Sequence, residues 1–133
     1  IWLPGKMETQ LRHMSAHPEV SAVFTHLKTF RDDGLRAGAD VAGPGWSRTT
    51  MVIRRDAAVA VGDFVDLPGS GRGEMIDWLA RARHLGFRLD MLDEVLALRR
   101  VRPGSLSYGR DAGKDKGYAR VAWLALQRRK AKA

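Results

Sequence analysis

The sequence contains no cysteine. That excludes disulfide staples and thiolate metal sites, and it suits a reducing compartment. It also lacks any run of about 18 apolar residues, the length that a membrane-crossing helix needs. Its opening, IWLPGKMETQ, does not have the basic-then-apolar order of a secretory leader. The expected location is therefore cytoplasmic. Repeats are absent, and low complexity is confined to a basic tail over residues 128–133, with Arg128, Arg129, Lys130 and Lys132. Acidic residues are few: 15 Asp and Glu stand against 23 Lys and Arg, for a net charge of +8.

What is present is enough for a core. The chain has 133 residues, 44% of them hydrophobic, with four Trp and four Phe, which fits one folded domain over residues 1–133 rather than a disordered chain. Such a domain buries roughly two-thirds of its unfolded surface. The basic excess has two readings. It attracts phosphate carried by a nucleic acid, a lipid headgroup or a sugar nucleotide, or it is spread over solvated helix faces. Nucleic acid is not the expected partner, because no helix-turn-helix, zinc-finger or aromatic-basic sheet pattern accompanies the charge.

Periodicity and breakers predict the elements in order. A helix is expected from about Pro4 to Ala16, with Met7, Leu11 and Met14 on one side and His17-Pro18 ending it. Val20 to Phe30 reads as a buried strand. Arg31 to Gly45, rich in Gly, reads as a loop, and Trp46 to Arg54 as a strand. A short helical turn over Asp56 to Val61 ends at Gly62, and a loop follows to Gly73. The clearest helix runs from Glu74 to Leu85, with Met75, Ile76, Leu79, Ala82 and Leu85 apolar and Gly86 stopping it. Two short strands, Phe87 to Leu92 and Val95 to Val101, are separated by Asp93-Glu94. After a turn at Arg102 to Ser105, a last helix from about Lys114 to Arg129 places Tyr118, Val121, Ala122, Ala125 and Leu126 on one face. The class is α/β, with strand directions open.

In sequence order, these pieces resemble the family 2 glycosyltransferases of the GT-A fold. Trp2, Pro4, Lys6, Glu8 and Gln10 match a W-x-P-x-K-x-E-x-Q helix, and Arg54, Arg55, Ala57, Val61, Gly62 and Phe64 match R-R-x-A-x-x-x-V-G-x-F. Gly73, Glu74, Asp77, Arg81 and Gly86 match the acidic helix G-E-D-x-D-x-x-x-R-x-x-x-x-G, and Arg99, Arg100 and Ser105 match R-R-x-H-x-x-S. The order and spacing of these segments, over nearly the whole chain, carry the resemblance. It implies a partial GT-A (nucleotide-diphospho-sugar transferase-like) fold, a mixed sheet flanked by helices, lacking the N-terminal nucleotide-binding half and its acidic DxD metal motif. A fragment of this kind is expected to be inactive alone and to expose a strand edge that favours a homo-oligomer.

The resemblance also assigns roles. It implies a nucleotide-sugar donor, an unidentified acceptor, and Mg or Mn only where the missing acidic motif is supplied; the chain itself is expected to hold no metal or other cofactor. The family's base is the Asp after the Glu of the acidic helix, and here that position is Met75. The remaining catalytic candidates are Asp77 and Glu74, because inverting sugar transfer needs a carboxylate to take the acceptor's proton. The alternative reading is that Glu74 caps the helix and that Asp77 with Arg81 is a surface pair. The substrate-binding candidates are Arg81, Arg102, Ser105 and Trp46. Arg102, at the family's His position, offers a bidentate fork to a diphosphate. Ser105 offers a hydroxyl or is ordinary turn chemistry, and Trp46 offers a face to a sugar ring or belongs to the core. The alternative function is a non-catalytic, self-associating interaction module derived from the same fold.

Overall fold

The computed structural model describes residues 1–31, 41–65, 73–104 and 116–132. Among them the chain is a mixed α/β protein of four helices and a four-stranded, largely antiparallel sheet. None of these helices is long and apolar enough to cross a membrane. The chain divides into two compact units, Ile1–Ile53 with Leu89–Gly109, and Arg54–Arg88 with Arg110–Ala133.

The first unit begins with α1 (Lys6–Ala16), entered through Gly5 at φ 80°. Its buried face is Lys6, Gln10 and Met14, spaced i, i+4, i+8. This corrects the expected apolar side: Met7 and Leu11 are exposed, and only Met14 of the three is buried. The reason is local. Gln10 donates from Nε2 to the carbonyls of Val23 and Thr50, both at 2.7 Å, so burying this polar side satisfies two backbone acceptors.

The central strand, β1 (Val20–Arg31), is buried continuously from Ala22 to Thr25, as a strand covered on both faces must be. It pairs antiparallel with β2 (Val41–Pro44) through His26 to Thr29, and with β3 (Val52–Ile53) through Ala22 and Val23. β2 lies where a loop was expected, because pairing with β1 outweighs the poor strand propensity of Gly43 and Pro44 in a short strand. Conversely, most of the strand expected over Trp46 to Arg54 is a turn. Thr50 closes it by donating Oγ1 to the carbonyls of Gly45 and Ser47, leaving two residues of strand.

β4 (Arg88–Val101) is one strand of 14 residues that pairs with β1, not two short ones. Asp93 and Glu94 sit at exposed positions within it, and neither residue demands a positive φ, so nothing breaks the extended chain. Beside it, Leu3 donates to the Leu96 carbonyl, and Ile1 and Leu98 bond to each other. Met14, Val20 and Val23 form the core of this unit, with Val52 and Leu92 packed against them.

The second unit holds α2 (Arg55–Val61), α3 (Glu74–His84) and α4 (Lys116–Lys132). α2 ends at Gly62, φ 79°, as expected. α3 buries Asp77, Trp78, Leu79 and Ala82, whereas Ile76 and Leu85 of the expected apolar side are exposed. The face is turned because Trp78, with the largest side chain on the helix, takes the interior. α4 extends through the expected basic tail to Lys132. Of its expected face only Val121 is buried; Tyr118 and Leu126 are exposed. The inward line runs instead through Val121, Ala125 and Arg128, because Arg128 answers a buried carboxylate on α3.

Candidate functional site

The residues singled out for chemistry fall in both units. In the second, α3 starts at Gly73, φ 114°, and its first turn carries Glu74 and Asp77. Acidic side chains there meet the positive end of the helix dipole. Glu74 and Met75 are half-buried, while Asp77 is buried.

Asp77 is the centre of a charge cluster. Its Oδ2 accepts from Arg81 Nε at 2.9 Å, and its Oδ1 from Arg128 Nη2 at 2.7 Å. With a carboxylate only 3% exposed, this is not the surface pair that the spacing allowed. Arg81 then reaches past it. Its Nη1 donates to the Val61 carbonyl and its Nη2 to the Asp63 carbonyl at 2.6 Å. One turn earlier, Trp78 donates Nε1 to the Gly62 carbonyl at 3.0 Å and stacks on Phe64, with ring centroids 5.3 Å apart. The segment Val61 to Phe64 is thus held by Trp78 and Arg81 along its length. Each donor meets a carbonyl that has left the end of a helix or lies beyond it.

In the first unit, Trp46 is 37% exposed and packs its ring on Phe24, centroids 4.9 Å apart. It is neither a buried core residue nor a fully presented face. Gly45 before it admits no side chain, since a Cβ there would lie 2.6 Å from the Thr25 carbonyl oxygen. Arg102 is exposed just beyond the end of β4. Ser105 lies outside the described residues.

A second polar network occupies the first unit. Lys6 Nζ donates to Gln10 Oε1 at 2.6 Å and stands 4.5 Å above the Trp2 ring, whose Nε1 donates to the Thr49 carbonyl at 2.7 Å. Burial pushes the Lys6 ammonium below its usual value of 10.5. Nearby, His13 Nε2 meets Asp90 Oδ2 at 2.8 Å, and its ring lies 4.5 Å from that of His17. Among the described residues no group of three or more His, Asp or Glu is placed to hold a metal ion.

Sequence reasoning brought Asp77 and Arg81 together correctly and did not find Arg128, which it assigned to a solvated tail. The signal was present: Val121, Ala125 and Arg128 recur at i, i+4, i+7 on α4. No family model matches the chain, and no curated protein matches it.

Proposed function

We propose that this chain is the acceptor-side part of a family 2 glycosyltransferase-like protein with a partial GT-A fold, acting only when joined to a donor-binding half. The observation that carries the reading is the meeting of two separated motifs in the second unit. Trp78 and Arg81 of the acidic helix bond to Val61, Gly62 and Asp63, the end of the R-R-x-A-x-x-x-V-G-x-F segment. Arg81, a residue that matches the acidic helix, bonds to Val61 of the other motif, and Trp78 and Arg128, which match neither motif, add to the same contacts.

Within this reading the two carboxylates separate by role. Both oxygens of Asp77 are taken by guanidinium groups, so a proton there would disrupt two ion pairs. Asp77 positions Arg81 and Arg128. Glu74, at the first position of α3, is the base that takes the acceptor hydroxyl's proton. The Mg or Mn of the family finds no ligand set among the described residues.

The test is a screen of sugar-nucleotide hydrolysis with the chain joined to its donor-binding half, with added Mg or Mn. Glu74→Gln is expected to lower turnover by about 100-fold, the low end of general-base contributions. Unchanged turnover removes Glu74 as the base.

Met75 at the family's base position favours a second reading, a non-catalytic module that associates with its own copies. Ile76, Trp123 and Leu126 of the second unit expose apolar surface for such a contact. No turnover of any sugar nucleotide, together with a dimer in sedimentation, would select it; a monomer at micromolar concentration would count against it.

A further inference from the structure

α4 carries apolar side chains on two sides, and only one of them is used to pack the second unit. The inner line, Val121, Ala125 and Arg128, is turned toward α3, with Val121 buried and Arg128 bound to Asp77. On the opposite side Ala119, Trp123, Leu126 and Lys130 recur at i, i+4, i+7 and i+11, the spacing of one helical stripe. All four are exposed. Single exposed apolar residues are ordinary. An indole and a leucine side chain one turn apart on the same stripe form a continuous apolar surface that folding has not used.

The charge around this stripe has one sign. α4 contains no Asp or Glu, and Asp111 and Asp115, which precede it, lie outside the described residues. Two of its cations are engaged within the chain: Arg128 holds Asp77, and Lys132 reaches the His84 carbonyl. Arg120, Arg129 and Lys130 are exposed, and among the described residues no carboxylate pairs with them. Lys130 ends the stripe, while Arg120 and Arg129 flank it on either side. Arg120 Cζ stands 4.8 Å from the centroid of the Trp123 ring, so cation and indole share one patch. Cations in the last turn also answer the negative pole of α4, but Arg120 stands near its other end.

An apolar stripe with cations at its margins complements a surface that is anionic outside and apolar just beneath. Indole rings settle at the boundary of headgroups and acyl chains, and Lys and Arg extend from that level to the phosphates. We propose that the outer face of α4 binds an anionic membrane surface, with Trp123 and Leu126 inserted and Arg120, Arg129 and Lys130 against the headgroups. The helix lies along the surface, being too polar to cross it. A second copy of the chain fits this face less well, because it brings the same three cations against themselves. A nucleic acid would meet the cations and leave Leu126 without a partner. This contact does not depend on the transferase reading, and it takes Trp123 and Leu126 from the self-associating one.

The experiment sediments the 133-residue chain with phosphatidylcholine vesicles, with and without phosphatidylserine, and also alone and with duplex DNA. Binding is expected only where phosphatidylserine is present, and it should weaken as salt is raised. Trp123→Ala is expected to weaken it about tenfold through lost apolar burial. Arg120→Gln and Lys130→Gln should each weaken it about fivefold, as loss of one cation near an anionic surface does. Val59→Ser and Arg55→Gln, exposed changes of the same kinds on α2, are expected to leave binding unchanged. Circular dichroism checks that every variant keeps its helices. No binding to the anionic vesicles overturns the proposal, as does equal binding to neutral ones or binding that Trp123→Ala leaves intact. Without vesicle binding, a lipid-free dimer that Trp123→Ala dissolves returns the face to self-association, and tight binding of the duplex assigns it to nucleic acid.

Discussion

Arg128 on α4 donates to Asp77 on α3 across 51 residues of sequence, Nη2 to Oδ1 at 2.7 Å, while Arg81 holds the other oxygen. One carboxylate thereby joins two helices and, through Arg81, the segment that follows α2. Removing one partner of a buried pair leaves an uncompensated charge, at about 3–5 kcal/mol. Asp77→Asn is expected to lose about 3 kcal/mol in urea unfolding, at the lower end because both guanidiniums keep some solvent contact. Asp77→Asn combined with Arg128→Gln should cost less than the sum of the two single changes. Strict additivity would show that the pair contributes nothing.

Gly45 and Gly43 offer a matched comparison. A Cβ at Gly45 would meet the Thr25 carbonyl oxygen at 2.6 Å, Thr50 Cγ2 at 2.8 Å and Leu27 Cδ2 at 2.9 Å; at Gly43 it would meet nothing within 4 Å. Gly45→Ala is expected to destabilise by about 1–3 kcal/mol through overpacking, and Gly43→Ala by less than about 0.5 kcal/mol. Thermal melts of the two variants check this, and equal melting temperatures would contradict it.

Gln10 is fully buried and its amide serves two carbonyls. Gln10→Leu keeps the volume roughly but leaves the Val23 and Thr50 oxygens without that donor, an expected loss of about 3 kcal/mol. Gln10→Glu should be worse at neutral pH, because it places an anion against the same two oxygens. Denaturant midpoints at pH 7 order the three proteins.

Lys6 supplies a pH dependence. Burial lowers its pKa in the folded chain from 10.5, so in the window between the two values the unfolded chain binds more protons. Stability from this group therefore rises as pH climbs toward 10.5, and is lost as pH falls through the lowered value. Lys6→Met should flatten that slope. In isotope-edited NMR, Lys6 Nζ should titrate below 10.5 as pH is raised.

Much of the element order was legible because it rests on strong local signals. The Gly62 and Gly86 stops, the Pro18 boundary of α1 and the β-branched run of β1 all act within a few residues. Two of the failures share one cause: long-range pairing overrides local propensity. β2 forms from Gly43 and Pro44 because β1 offers a ladder, and α1 turns Gln10 inward because two carbonyls await it. For the site, spacing alone placed Asp77 beside Arg81. It did not reveal the burial of Asp77, since the second guanidinium comes from a distant helix that reads as a charged tail.

The four tryptophans divide evenly between the units, Trp2 and Trp46 in one, Trp78 and Trp123 in the other. Only Trp78 is sealed from water, at 2% exposure against 56%, 37% and 48% for Trp2, Trp46 and Trp123. Its emission should therefore be the bluest and the least quenched by iodide. With the other three changed to Phe, Trp78 becomes a colour signal for opening of the second unit alone. A Trp46 counterpart does the same for the first, and the two melting curves reveal whether the chain unfolds as one cooperative body or as two.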